Sequence, residues 1–228
     1  MIIIGFFSAS VSAIEGKSTE VFFKRGSEWL EKGEYDKAIV DFNMSIELEP
    51  KLAVAYLNRG LAWSGKGSYD KAVADYNKAI ELRSDYGEAY NNRGVAYSAK
   101  GELDKALSDY NKAISIRADY AEAYNNRGLL RDKMNDADNA IADYSKALEN
   151  NSKLYQAYNN RGQIWMKKNE FDKAIGDFGK ALSLNPNYAE AYYNRGNTWD
   201  EKNEPDKAIS DYNKVHGTRT FADAVRAV

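Results

Sequence analysis

One phrase returns at thirty-four-residue intervals along most of this 228-residue chain. It reads AYNNRGVAYSAKGELDKALSDYNKAI from Ala89 and AYYNRGNTWDEKNEPDKAISDYNKV from Ala191. Aromatic rings fall in step at Phe22, Tyr56, Tyr90, Tyr124, Tyr158 and Tyr192. So do Gly26, Gly60, Gly94, Gly128, Gly162 and Gly196, and Ala38, Ala72, Ala106, Ala140, Ala174 and Ala208. A fixed period of this length belongs to stacked units that bury their apolar faces on one another. It overrides the length-based expectation of one or two globular domains. The units run 19–52, 53–86, 87–120, 121–154, 155–188 and 189–222, the last broken after residue 216.

Each unit reads as two amphipathic helices. In the first, the aromatic at the fourth place, glycine at the eighth and usually an aromatic at the eleventh share one face. The eleventh places are Trp29, Trp63, Tyr97, Arg131, Trp165 and Trp199. At the fifteenth stand Gly33, Gly67, Gly101, Asn135, Asn169 and Asn203, the two residue types that enter the left-handed region cheaply and so end a helix in a tight turn. Aspartate follows at the eighteenth place in all six units, from Asp36 to Asp206, where it suits the positive end of the second helix. Phe42, Tyr76, Tyr110, Tyr144, Phe178 and Tyr212 are expected to fill the space beside the small eighth and twentieth places. The fold class is therefore all-α, a solenoid of antiparallel helix pairs.

Chemistry that needs special residues is poorly served. The chain has no cysteine, which removes disulfides, thiol catalysis and cysteine-ligated zinc. Its one histidine, His216, stands where the pattern frays and reads as a solvated bystander. No nucleophile, base and orienter come together, so no enzyme, cofactor or metal is expected. A net charge of −2 gives no nucleic-acid footprint and no polybasic membrane patch. Gly16-Lys17-Ser18 lacks the upstream glycine of a phosphate loop. Asn43-Met44-Ser45 and Asn150-Asn151-Ser152 match glycosylation acceptors, relevant only to eukaryotic secretion.

Two charged places repeat without exception. The seventh is Arg25, Arg59, Arg93, Arg127, Arg161 and Arg195, and the twenty-third is Asp41, Asp75, Asp109, Asp143, Asp177 and Asp211. The expectation is a partly buried bridge between the two helices of each unit, because guanidinium and carboxylate match as a planar fork. The rival reading is an exposed row of arginines for anionic ligands.

Together the repeated residues resemble the tetratricopeptide repeat family over about 200 residues, with Pro50 and Pro186 at its inter-repeat proline position. The seventh-place arginine departs from the family's usual leucine. The resemblance implies a right-handed superhelix whose first helices line a concave groove, and a role in binding peptides or assembling complexes. In the family the sixth place faces that groove; here it carries Asn58, Asn92, Asn126, Asn160 and Asn194, preceded three times by Asn91, Asn125 and Asn159. This run resembles the asparagine ladder in the repeat domain of O-GlcNAc transferase, where amides hold a peptide backbone. An amide both donates and accepts, so it pairs with any peptide unit. The alternative is a solvated row with no ligand.

Other groove positions change along the chain. They include Leu57, Leu61, Val95, Leu129, Lys133 and Lys167, and turn acidic at Asp200 and Glu201. A ligand with one apolar end and one neutral or basic end suits this gradient. Phe23 with Ser27, and Leu57 with Leu61, lack the Lys and Asn of relatives that clamp heat-shock chaperone tails. The expected partner is a protein or peptide, with no membrane span; self-association through the solenoid ends and the targeting arm of a larger enzyme stand as alternatives.

The ends and one unit break pattern. Met1–Ala13 is apolar and ends in Val11-Ser12-Ala13, so 1–18 reads as a signal peptide, lacking the usual basic start, or as a cap on the first repeat. The first reading makes the protein secreted or periplasmic, the second cytoplasmic. Residues 217–228 read as a short capping helix through Phe221, Ala224, Val225 and Val228, or as the stub of a longer array. In the fourth unit Arg131 and Ala137 replace rings, which predicts looser packing there.

Overall fold

The structure is a computed structural model and describes residues 18–217. Helix α1 covers 18–31 of that range. It is followed by α2 (Tyr35–Leu48), α3 (Ala53–Gly65), α4 (Tyr69–Leu82), α5 (Gly87–Ala99) and α6 (Leu103–Ile116). Then come α7 (Ala121–Lys133), α8 (Ala137–Asn150), α9 (Tyr155–Lys167), α10 (Phe171–Leu184), α11 (Ala189–Glu201) and α12 (Pro205–Gly217). The fold is all-α, with no strand among the described residues. The leader or cap expected at the N-terminus, the capping helix expected beyond 217 and the His216 side chain lie outside the described residues.

The chain divides into two compact units, Met1–Ala118 and Asp119–Val228. In the first, α3 packs on α4 and α5 on α6 as hairpins, while α2–α3 and α4–α5 join successive repeats. The second has the same organisation, with hairpins α7–α8, α9–α10 and α11–α12 joined by α8–α9 and α10–α11.

Every hairpin turn has one mechanism. The fifteenth-place residues adopt positive φ, from 57° at Asn203 to 79° at Gly101. That conformation lets the next amide reach back five residues, as in Glu102 N to Tyr97 O and Glu170 N to Trp165 O, both 2.9 Å. These bonds satisfy carbonyls that the helix end leaves orphaned. Each following helix has its aspartate in the first turn.

The helices of a hairpin meet at the eighth-place glycine. A Cβ on Gly94 would stand 2.8 Å from Tyr110 Cε1, and one on Gly60 would stand 2.5 Å from Tyr76 Cε1. Tyr76, Tyr144, Phe42 and Phe178 are thereby sealed in the core beside fully buried alanines. The eleventh-place ring is covered from outside by lysines, as Trp63 is by Lys66 and Lys71 and Trp199 by Lys202 and Lys207. Successive repeats are also latched on the surface. Lys66 pairs with Asp36, Lys100 with Asp70, Lys168 with Asp138 and Lys202 with Asp172. Exposed pairs of this kind are screened by solvent and contribute little each.

The fourth repeat replaces ring packing with charge. Arg131 Nη1 donates to Asp143 Oδ2 at 2.7 Å, so this aspartate serves two arginines. Beneath it Leu130 is fully enclosed.

Candidate peptide-binding face

The seventh- and twenty-third-place residues come together in all six repeats. Each arginine donates from Nε and Nη2 to the two oxygens of its own aspartate, at 2.5–2.8 Å. The aspartates are buried, from 2% exposed at Asp143 to 8% at Asp177. The arginines keep partial exposure, greatest at Arg25, while Asp41 beside it is enclosed. The hydrogen bond to the paired aspartate holds the guanidinium groups of Arg59, Arg93, Arg161 and Arg195 above their ordinary range, against the opposing effect of burial.

A ring contact locks each guanidinium, and in several repeats a further hydrogen bond does. The fourth-place ring lies under it at 5.3–5.8 Å in every repeat, from Arg25 over Phe22 to Arg195 over Tyr192. The remaining nitrogen turns to the repeat before. Arg59 Nη1 donates to Asn43 Oδ1 at 2.7 Å, Arg93 Nη1 to Asn77 Oδ1 at 2.6 Å, and Arg161 Nη1 to Ser145 Oγ at 2.9 Å. These acceptors occupy the twenty-fifth place, where Arg195 meets Gly179 instead. The polar residues recurring there were a sequence signal for the contact. Asn43, which accepts this bond, also opens the glycosylation motif, whose Ser45 is completely buried.

The asparagine row divides into two kinds. Asn58, Asn92, Asn125, Asn126 and Asn160 are half-buried. Asn58 Nδ2 lies 3.4 Å from Ser27 Oγ, and Asn160 Nδ2 lies 3.4 Å from Asn125 Oδ1. Asn92 Oδ1 accepts from Asn91 Nδ2 at 3.2 Å. In contrast Asn91, Asn159 and Asn194 are buried, Asn159 completely, so they do not line an open face. This corrects the uniform ladder expected from sequence. For Asn159 and Asn194 the physical cause is pairing between repeats: Asn194 Nδ2 donates to Asn159 Oδ1 at 3.1 Å, and Asn159 Nδ2 donates to Glu190 Oε1 at 3.0 Å. Gln163 Nε2 reaches the same Glu190 oxygen at 2.8 Å. Gln163 was missed because its place varies from repeat to repeat, whereas glutamate recurs at the place of Glu190 as Glu20, Glu88 and Glu122 and was a usable signal.

Of the remaining expected positions, Val95 and Leu129 are exposed apolar side chains and Leu61 is half-buried. Lys133 is exposed. Lys167 is exposed but engaged, its Nζ 2.9 Å from both oxygens of Asp132 one repeat earlier. A cleft of about 460 Å³ lies between the fifth and sixth repeats, lined by Met166, Lys167, Asn169 and Phe171 on one side and Asn197, Asp200 and Glu201 on the other. None of the described helices is long and apolar enough to cross a membrane.

Comparison with known proteins adds the family. A profile described as "TPR repeat" matches residues 65–101. Profiles described as "Tetratricopeptide repeat" match 87–120, 121–154 and 155–188, and again 178–210. No curated protein sequence matches the chain. Among solved structures, YrrB, described as a TPR protein with an unusual peptide-binding site, has a TM-score of 0.61 at 24% identity, covering 82% of this chain and 98% of its own. PilF from Pseudomonas aeruginosa reaches a TM-score of 0.78 at 17% identity, over 86% of this chain and 90% of its own. MamA has a TM-score of 0.61 at 27% identity, over 77% and 96%. With profile matches running from residue 65 to residue 210, more than half its length, the chain belongs to the tetratricopeptide repeat family.

Proposed function

We propose that this chain is a non-catalytic interaction scaffold that holds a segment of a partner protein against the first helices of its repeats. The observation that carries the reading is a half-buried amide at the sixth place of successive repeats within each compact unit, Asn58 and Asn92 in the first and Asn126 and Asn160 in the second, with an exposed apolar side chain in each, Val95 and Leu129 respectively. An amide row reads backbone, and the neighbouring apolar groups reward apolar side chains. Each amide bond is worth roughly 0.5–1.5 kcal/mol net, so the amides of a unit add to binding without imposing a strong sequence preference. The described peptide binding of YrrB, at similar fold, supports the same use of these repeats.

A peptide-array screen comparing the parent with Asn92→Ala/Asn126→Ala/Asn160→Ala tests this. Peptides retained by the parent and lost by the folded variant support the groove reading; binding indifferent to the three substitutions overturns it. A second reading, end-to-end self-association, is favoured by Val21 and Ile209, 60% and 56% exposed at places that inner repeats cover. It predicts a molecular mass that rises with concentration in sedimentation. The export reading rests on the Met1–Ala13 sequence alone, and N-terminal sequencing of the protein recovered from cells tests it.

A further inference from the structure

The cleft between the fifth and sixth repeats gives the peptide-scaffold reading, on which this inference rests, a specific chemistry. One repeat earlier, the thirteenth-place Lys167 reaches back to the twelfth-place Asp132. At the next junction the same two places hold Glu201 and Met166. The internal cation has become a carboxylate, and the internal carboxylate has become a thioether. The cleft opens at this junction, which has no counterpart of the Lys167–Asp132 pair.

Asp200 and Glu201 line its α11 side, and neither has a lysine or arginine at ion-pair distance among the described residues. The nearby cations are committed elsewhere: Lys167 to Asp132, Lys168 to Asp138 and Lys202 to Asp172. The Tyr212 hydroxyl donates to Asp200 Oδ2 at 2.6 Å and lies 2.8 Å from Asn197 Oδ1. That contact orients the Asp200 carboxylate and leaves Oδ1 available. The opposite side carries half-buried Met166 and Phe171.

We propose that this cleft receives a lysine or arginine side chain of the bound polypeptide. Its aliphatic stem lies on Met166 and Phe171, and its charged head sits between Asp200 and Glu201. Long basic side chains are suited to such a site because their stems cover apolar surface while their heads stay polar. A bare inorganic cation satisfies the carboxylates but leaves Met166 and Phe171 uncovered. An acidic or purely apolar side chain leaves two carboxylates uncompensated.

The probe is a set of fluorescein-labelled decapeptide pools with the central residue fixed as lysine, arginine, norleucine or glutamate and the other positions mixed from alanine, leucine, serine and threonine. Fluorescence anisotropy is read with the full chain and with Asp200→Asn/Glu201→Gln. The lysine and arginine pools are expected to bind at least tenfold more tightly than the norleucine pool. The paired substitution is expected to abolish that preference while leaving the norleucine affinity and the thermal melt unchanged. Asp200→Lys/Glu201→Lys is expected to turn the preference toward glutamate. Equal binding of lysine and norleucine pools to the parent, or a preference that survives the paired substitution, overturns the assignment and leaves the peptide-scaffold reading standing. Absence of binding by every pool overturns both.

Discussion

Arg93 grips Asp109 through two parallel hydrogen bonds of 2.7 Å, Nε to Oδ2 and Nη2 to Oδ1. Asp109 is 5% exposed, so removing either partner strands a charge. Asp109→Asn is expected to cost about 3 kcal/mol, at the low end for a broken buried pair, because Arg93 keeps some solvent. Arg93→Leu with Asp109→Asn should cost less than the sum of the singles. A double-mutant cycle by urea denaturation checks this, and additive effects would show that the two residues act independently.

At Gly179 the array lacks an acceptor that Asn43, Asn77 and Ser145 provide elsewhere. A Cβ there would stand 3.7 Å from Arg195 Nη1, an ordinary contact, so there is room for a side chain. Gly179→Asn is expected to stabilise the protein by about 1 kcal/mol, combining a new hydrogen bond with the loss of a flexible helical glycine. A raised urea midpoint at constant slope is the readout.

The two classes of glycine should respond oppositely. Gly94→Ala drives a methyl group into the Tyr110 ring and is expected to cost about 1–3 kcal/mol through overpacking. Gly101→Asn should be tolerated, since Asn135, Asn169 and Asn203 hold the same left-handed turn. Gly101→Val should not be, because a branched side chain is strained there. Thermal melts of the three variants decide the matter.

Burial pushes the Tyr76 phenol up to about 12, with the Asp75 charge adding to it and the Ser64 contact opposing it. Tyr110 is raised for the same first reason. An unfolded tyrosine ionises near 10, so this contribution to stability is complete below about pH 10 and is lost as pH climbs toward 12. Tyr76→Phe, a ring already present at Phe42 and Phe178, should move the alkaline unfolding midpoint upward. Circular dichroism across that pH range tests the sign.

Asn159 and Asn126 should separate by phenotype. Asn159 is completely buried and joins Asn194 to Glu190, so Asn159→Ala is expected to cost about 1–3 kcal/mol by leaving the buried Asn194 amide without its acceptor. Asn126→Ala, at a half-buried position, should alter peptide affinity and cost less stability than Asn159→Ala. Equal destabilisation by both would remove Asn126 from the binding face.

The hairpins were legible because their constraints are local and recur. A glycine against a ring, a left-handed turn residue and a first-turn aspartate each act within one repeat, and the period multiplies the signal. The Arg–Asp pairing was legible for the same reason. What escaped was the chemistry between repeats. Asn159 and Asn126 look alike in sequence, yet one is sealed by Glu190 and Asn194 and the other is half-open. Arg131 read as a lost ring, although it brings a second donor to Asp143. The cleft depends on which partner is missing at one junction, Glu201 standing where Lys167 stands in the preceding repeat.

The third nitrogen of the seventh-place arginine has an evolutionary corollary. Because Arg59, Arg93 and Arg161 each anchor to the twenty-fifth residue of the unit before, a duplicated segment arrives carrying both the hook for its predecessor and the eye for its successor. Such an array lengthens by copying, without compensating mutation elsewhere. Gly179 is a missing eye, so the Arg195 hook of the last repeat lacks this hold on its predecessor.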